Sequence, residues 1–158
     1  MIAAVKFIHF VGLACWCAAL IALPLLMHAH GGMRDQRQFA RFRLVTHVSY
    51  IAFATPAALI AIAAGTALVF LARVFEPWLL AKLAVVAAMV LVHVWLGHLI
   101  QRSGEQPGRA RPAHPLVGLA LALPLIGVVL ALVLTKPDLS ALTALIPDQF
   151  LVPRGAAP

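Results

Sequence analysis

An all-α fold, an integral membrane four-helix bundle, is what this sequence predicts, on three observations. Apolar residues fill 63% of the 158 positions against 11% charged, and the mean hydropathy is +1.00; soluble domains carry about 25% charged residues. Four stretches, about 3–27, 44–72, 78–100 and 116–135, each supply the roughly 20 apolar residues with which a helix crosses a hydrocarbon core of about 30 Å. The basic residues are sorted by loop. Arg34, Arg37, Arg41 and Arg43 lie between spans one and two, and Arg102, Arg109 and Arg111 between three and four, leaving Lys6, Arg73, Lys136 and Arg154 for the other side. The net charge of +7 is therefore a topology signal and not a nucleic-acid one. It predicts both arginine loops in the cytoplasm, with both termini outside.

Span one reads AAVKFIHFVGLACWCAALIALPLLM, too long for a signal peptide and without a small-residue cleavage pattern, so it is expected to stay. His9, Leu13, Trp16, Leu20, Leu23 and Met27 recur at three and four and share a face, with Gly12 beside them to admit a neighbouring helix. Cys15 and Cys17, two apart, point about 160° from each other; they neither chelate one ion nor pair, and read as small hydrophobes. Beyond them Met27, His28, His30 and Met33 combine thioethers with imidazoles, a donor set that suits copper(I), on what otherwise reads as a solvated loop.

Span two follows the basic loop RDQRQFARFR. Pro56 should kink it near mid-membrane, with Ser49 and Thr55 available to the freed backbone groups, and its alanines and Gly65 allow close packing or a flat ligand. The short turn RVFEPW makes spans two and three antiparallel neighbours, with Pro77 suited to the first helical position and Trp78 to the interface. Span three, Trp78 to His98, is apolar yet carries Lys82, with His93 eleven residues on. Eleven residues at about 100° each leave about 20° after three turns, so Lys82, Val86, Met89 and His93 form one stripe. Span four, after the linker RSGEQPGRARPAHP, holds Pro124 and Gly127 but no ionisable residue, and is assigned to packing. Residues 137–158 read as an interfacial or disordered tail, whose LVPRG resembles a protease-linker scar.

Ionisable groups inside a span mark sites. His9 and Lys82 lie at nearly equal depth from the outer side, and two nitrogen donors at one level on two helices hold a metal or a haem iron. Singly, such a histidine bonds a neighbouring helix and such a lysine snorkels to the surface. His47 and His93 form a second candidate pair at an inner level, or two interfacial histidines.

Trp78, Lys82, Leu83 and His93 resemble the third helix of the HemJ-type bacterial protoporphyrinogen oxidases. Lys6, His9, Trp16, Leu23 and Pro24 resemble that family's first helix, and Thr55-Pro56-Ala57 with Gly65 its second, so the likeness covers roughly residues 5 to 100. It implies a haem b protein, with His9 and Lys82 matching the essential histidine and lysine, that oxidises the tetrapyrrole protoporphyrinogen IX to protoporphyrin IX and delivers electrons to a respiratory-chain acceptor. Trp16, His47 and His93 join the cofactor-lining set. Lys6 and Arg73 offer cations to propionates on the outer side, and Arg41 and Arg43 on the inner. The chain departs from the family at Leu25, where an arginine is usual, at Trp16-Cys17-Ala18-Ala19-Leu20 in place of Trp-x-Ala-Gly-Leu, and at Met27 and His28, where a tyrosine and acidic residues are common. The first span is also similar to the CopD-like copper-resistance family. A copper-handling protein, a b-type cytochrome subunit that passes electrons without turning over a porphyrinogen, and a structural subunit, homo-oligomeric or not, are the competing readings.

Overall fold

The computed structural model describes residues 1–31, 35–72, 77–102 and 115–135, apart from the side chains of His30, Ala72, Pro77 and Trp78. They form five helices: α1 Ile2–Gly31, α2 Gln36–Val48, α3 Thr55–Ala72, α4 Pro77–Arg102 and α5 Leu116–Thr135. A wider π turn, Ser49–Ala54, joins α2 to α3 without a break, so that the four rods are α1, α2 through α3, α4 and α5. Each is long and apolar enough to cross a membrane, and no strand occurs among the described residues. The protein is an all-α, multi-pass membrane bundle. The linker 103–114 and the tail 136–158 lie outside the described residues.

The second span starts at Gln36 and not at residue 44. The segment expected as basic loop is helical because the Asp35 carboxylate caps it, accepting the Arg37 backbone N–H at 3.3 Å. One face of this helix carries Phe39 and Thr46 into the bundle while Arg37 and Arg41 stay exposed. The expected kink at Pro56 takes the form of the π turn. A proline inside a regular helix lacks the N–H and its ring meets the carbonyl four residues back, at a cost of about 3 kcal/mol. Widening the preceding turn relieves that collision. The Tyr50 carbonyl then accepts from two groups five residues on, the Thr55 backbone N–H and, at 2.9 Å, its hydroxyl.

Helix α1 is the hub. It packs along α3, α5, α2 and the π turn and touches α4 sparingly, while α4 packs on α5. Its approach to α3 is close at Gly12, where a Cβ would lie 3.0 Å from the Ala61 nitrogen. The expectation that spans two and three are neighbours holds for one half of span two only. α3 and α4 make at most marginal contact among the described residues, and α4 meets the second span in its α2 and π-turn half. A short connection brings chain ends together but does not choose the packing partner; the small residues of α3 give its face to α1.

The core is densest toward one end, although Val129 of α5 is buried beyond that part. We term the end where α1 and α4 begin the near end, and the other the far end. Toward the far end Trp16, Leu20, Leu23 and Met27 of α1, Ala54, Ala57, Ala58 and Ala61 of the second span, Met89, Val92, Leu96, Leu99 and Ile100 of α4, and Ala122 of α5 form one buried cluster. Toward the near end, α1 before Trp16, α3 after Ala61 and α4 before Met89 contain no buried side chain among the described residues. Large apolar residues such as Phe7, Phe70, Leu91 and Leu134 point outward, as lipid contact requires.

Candidate functional site

Polar groups inside the bundle gather at two levels. At the near level, His9 sits on the second turn of α1 and turns toward α3. Its Nδ1 lies 2.8 Å from the Ala61 carbonyl oxygen. A carbonyl only accepts, so Nδ1 carries the hydrogen and donates, and the lone pair of the neutral ring is on Nε2. Nε2 has no hydrogen-bond partner among the described residues and is not enclosed. Gly65 makes the space for the ring, since a Cβ there would come within 2.9 Å of His9 Cε1. Together the carbonyl of one turn of α3 and the bare backbone of the next hold the imidazole by one nitrogen and present the other.

Lys82 lies five residues into α4, about 7.5 Å of rise, against about 10 Å for His9 seven residues into α1. It is half-buried, with no ion pair or hydrogen bond among the described residues. No direct contact joins His9 to Lys82. They share a level and the open end of the bundle, between helices that touch little.

At the far level four side chains converge. His93 on α4 is buried, stacked on the Tyr50 ring of the π turn at 4.8 Å between centroids and edge-on to Trp16 of α1 at 6.2 Å. Its Nε2 lies 3.4 Å from Thr55 Oγ1. Gly97, one turn beyond His93, is what admits Tyr50: a Cβ there would overlap the phenol oxygen. Trp16 and His93, both expected to line a cofactor, are thus brought together with each other but not with His9 or Lys82. Tyr50 and Gly97 were not foreseen. The available signal was the chain's one tyrosine placed one turn and a half before a helix-distorting Thr-Pro pair.

The remaining candidates stand apart. His47 is exposed on α2 and does not join His93, so the inner nitrogen pair does not form. Helical phase explains the separation: Thr46, one residue earlier, takes the inward position and bonds the Phe42 carbonyl at 2.8 Å. Arg41 is exposed and Arg43 half-buried near the far end, and Lys6 is exposed near the other; Arg73 lies outside the described residues. Of the thioether and imidazole set, Met27 is buried in the core and His28 exposed, while the His30 side chain and Met33 lie outside the described residues. No group of three His, Cys, Asp or Glu converges among the described residues. Cys15 and Cys17 are unpaired and half-buried against the core. Cys15 also lines an open apolar groove of about 350 Å³ between α1 and the second span, with Phe7, Val11, Phe53 and Pro56. Comparison with protein-family models, with curated proteins and with solved structures finds no match to this chain.

Proposed function

We propose that the chain is a haem b-binding membrane oxidoreductase of the HemJ type, which removes six electrons and six protons from protoporphyrinogen IX and passes the electrons to a respiratory-chain acceptor. One observation carries this reading. His9 donates Nδ1–H to a backbone carbonyl and leaves Nε2 free, the arrangement in which a histidine ligates a metal: the second hydrogen bond selects the tautomer and aims the ring. The donor set fits a haem iron, with an imidazole nitrogen on one helix and an unpartnered amine at the same level on another. The sparse packing of α1 against α4 suits a planar macrocycle held between those two helices.

When bound, the haem supplies the redox centre. Residues of the chain do the rest. Ala61 O holds His9 in its ligating tautomer, and Gly65 keeps the ring seated. Lys82 would hold the haem iron as a second donor only as a neutral amine; an Nζ not given to iron would instead be a base able to take a proton from a pyrrole N–H or methylene bridge of the substrate, one lone pair serving one task at a time. Lys6 at the near end is a cation on the side of a haem held by His9 and Lys82, whereas Arg41 and Arg43 are at the far end and would serve only a tetrapyrrole bound there. The arginine-rich loops set the orientation, with both termini outside the inner membrane.

The test is a reduced-minus-oxidised spectrum of detergent-purified protein beside His9→Ala and Lys82→Ala, followed by a fluorescence assay of protoporphyrin formation. A b-type spectrum lost in both variants, with turnover in the parent, is the expected result. Haem and turnover retained in both variants overturn it. Haem without turnover in the parent reduces the reading to a b-type cytochrome, and copper in place of haem replaces it with metal handling.

A further inference from the structure

On the outer surface of the second span one line of side chains runs from cations into a groove. Arg37, Arg41, Leu44 and Val48 follow one another at four, three and four residues and so share a face of α2, and Ala52, Pro56 and Ile60 continue it at steps of four. Steps of four drift by about 40° in an α-helix, and the wider π turn, which winds each residue less, takes part of that drift back. Every one of these residues is exposed. Neither guanidinium has an ion pair or a hydrogen bond among the described residues, and Asp35, the one acidic residue among them, is engaged as the helix cap.

The apolar half of the line is one wall of the groove of about 350 Å³ between α1 and the second span. Phe7, Val11 and Cys15, again at steps of four, make the facing wall, and Gly12 and Ala57 leave the floor bare. A trough lined by apolar side chains gives water no partners and stays dry; at membrane depth hydrocarbon fills it. The distance from charge to groove matches a lipid. Ala52 is 11 residues from Arg41, about 16 Å of helix rise, and one leaflet of a hydrocarbon core of about 30 Å is about 15 Å deep.

We propose that this seam holds an anionic diacyl phospholipid of the leaflet at the far end, with its phosphate between Arg37 and Arg41 and one acyl chain laid along Leu44 and Val48 into the groove. Two guanidinia one turn apart give the phosphate charge-assisted hydrogen bonds, and the chain adds apolar burial and fixes the headgroup under the arginines. A lipid without net negative charge keeps only the second contribution. The inference does not rest on the haem reading, whose ligands His9 and Lys82 are at the near end.

Native mass spectrometry of the detergent-purified full chain tests it, by titration with dioleoyl phosphatidylglycerol beside dioleoyl phosphatidylcholine. The first phosphatidylglycerol should bind about 25-fold more tightly than phosphatidylcholine, since each cation near a membrane surface contributes about a factor of five. Arg37→Gln and Arg41→Gln should each cut that preference about fivefold, whereas Arg102→Gln, exposed at the same end on α4, should leave it unchanged. Ala52→Trp, which fills the groove from an exposed position, should weaken both lipids by a similar factor and keep the preference. Glycerol 3-phosphate, a headgroup phosphate without chains, should not displace the lipid at equal concentration. Equal affinity for the two lipids, a preference lost as much in Arg102→Gln as in Arg41→Gln, lipid binding indifferent to Ala52→Trp, or displacement by glycerol 3-phosphate overturns the proposal. So does a dimer of the parent that Ala52→Trp breaks, which would put a second copy of the chain in the groove.

Discussion

His9 and His93 are the same residue in the same kind of apolar helix, yet their neighbours hold them in different ways. His9 gives Nδ1–H to the backbone of α3 and keeps Nε2 for something outside the packing. His93 sets Nε2 at 3.4 Å from a threonine hydroxyl and buries Nδ1 in a closed cluster of aromatic rings. What separates them is the state of the core around each. At the near end the helices carry no closed layer of buried side chains, so a free lone pair there is accessible. At the far end Trp16, Leu20, Met89 and Leu96 are sealed, and a lone pair there is a structural matter to be satisfied internally. An ionisable residue in a span is thus a ligand candidate or a packing element according to the layer it falls in, and not according to its type.

The comparison is broken most directly by truncating each histidine in turn. His9→Ala should reduce the haem-to-protein ratio to background while His93→Gln leaves it near the parent value, read by the pyridine haemochrome absorbance; the reverse pattern would move the ligand to the far level. Gly97→Ala probes the sealed layer. Its Cβ overlaps the Tyr50 ring, and overpacking of this kind should destabilise the fold by about 1–3 kcal/mol, seen as a lowered unfolding temperature in detergent, with Tyr50→Ala relieving it. Gly65→Ala probes the open layer, where the His9 ring can swing away. It should cost little stability but weaken haem binding about tenfold, the lower end of what displacing a ligand's support costs, in a haem titration. The smallest effect is expected of Thr55→Val. The hydrogen bond to His93 is long, so its loss should cost about 1 kcal/mol, and an unfolding midpoint shifted as far as that of Gly97→Ala would show the two levels to be coupled.

Several elements were legible because they depend on local chemistry. Spans one, three and four end within a few residues of where hydropathy ends them, Pro77 opens α4, and Gly12 marks the close approach of α1 to its neighbour. The start of span two was not legible, because Asp35 and the inward Phe39 and Thr46 continue the helix through a segment whose arginines read as loop. The pairing of α3 with α1 instead of α4 was hidden as well, since a short turn constrains where a helix begins and not which face it buries. Of the candidate site, the levels of His9 and Lys82 follow from counting residues along helices. The hydrogen bond to Ala61 and the seat made by Gly65 lie 52 and 56 positions away along the chain and are invisible to any local pattern.

The sequence by itself determined that this is a membrane bundle of four apolar rods, because about 20 consecutive apolar residues leave the backbone no alternative to a helix in lipid. It also determined which rods carry nitrogen donors and how deep they lie. Only the tertiary structure decided which nitrogen of His9 is free and where buried side chains are densest. Those depend on a carbonyl, a hydroxyl or a missing side chain supplied by another helix, and helix packing chooses among faces of nearly equal hydrophobicity by the shape of small residues that no periodicity records.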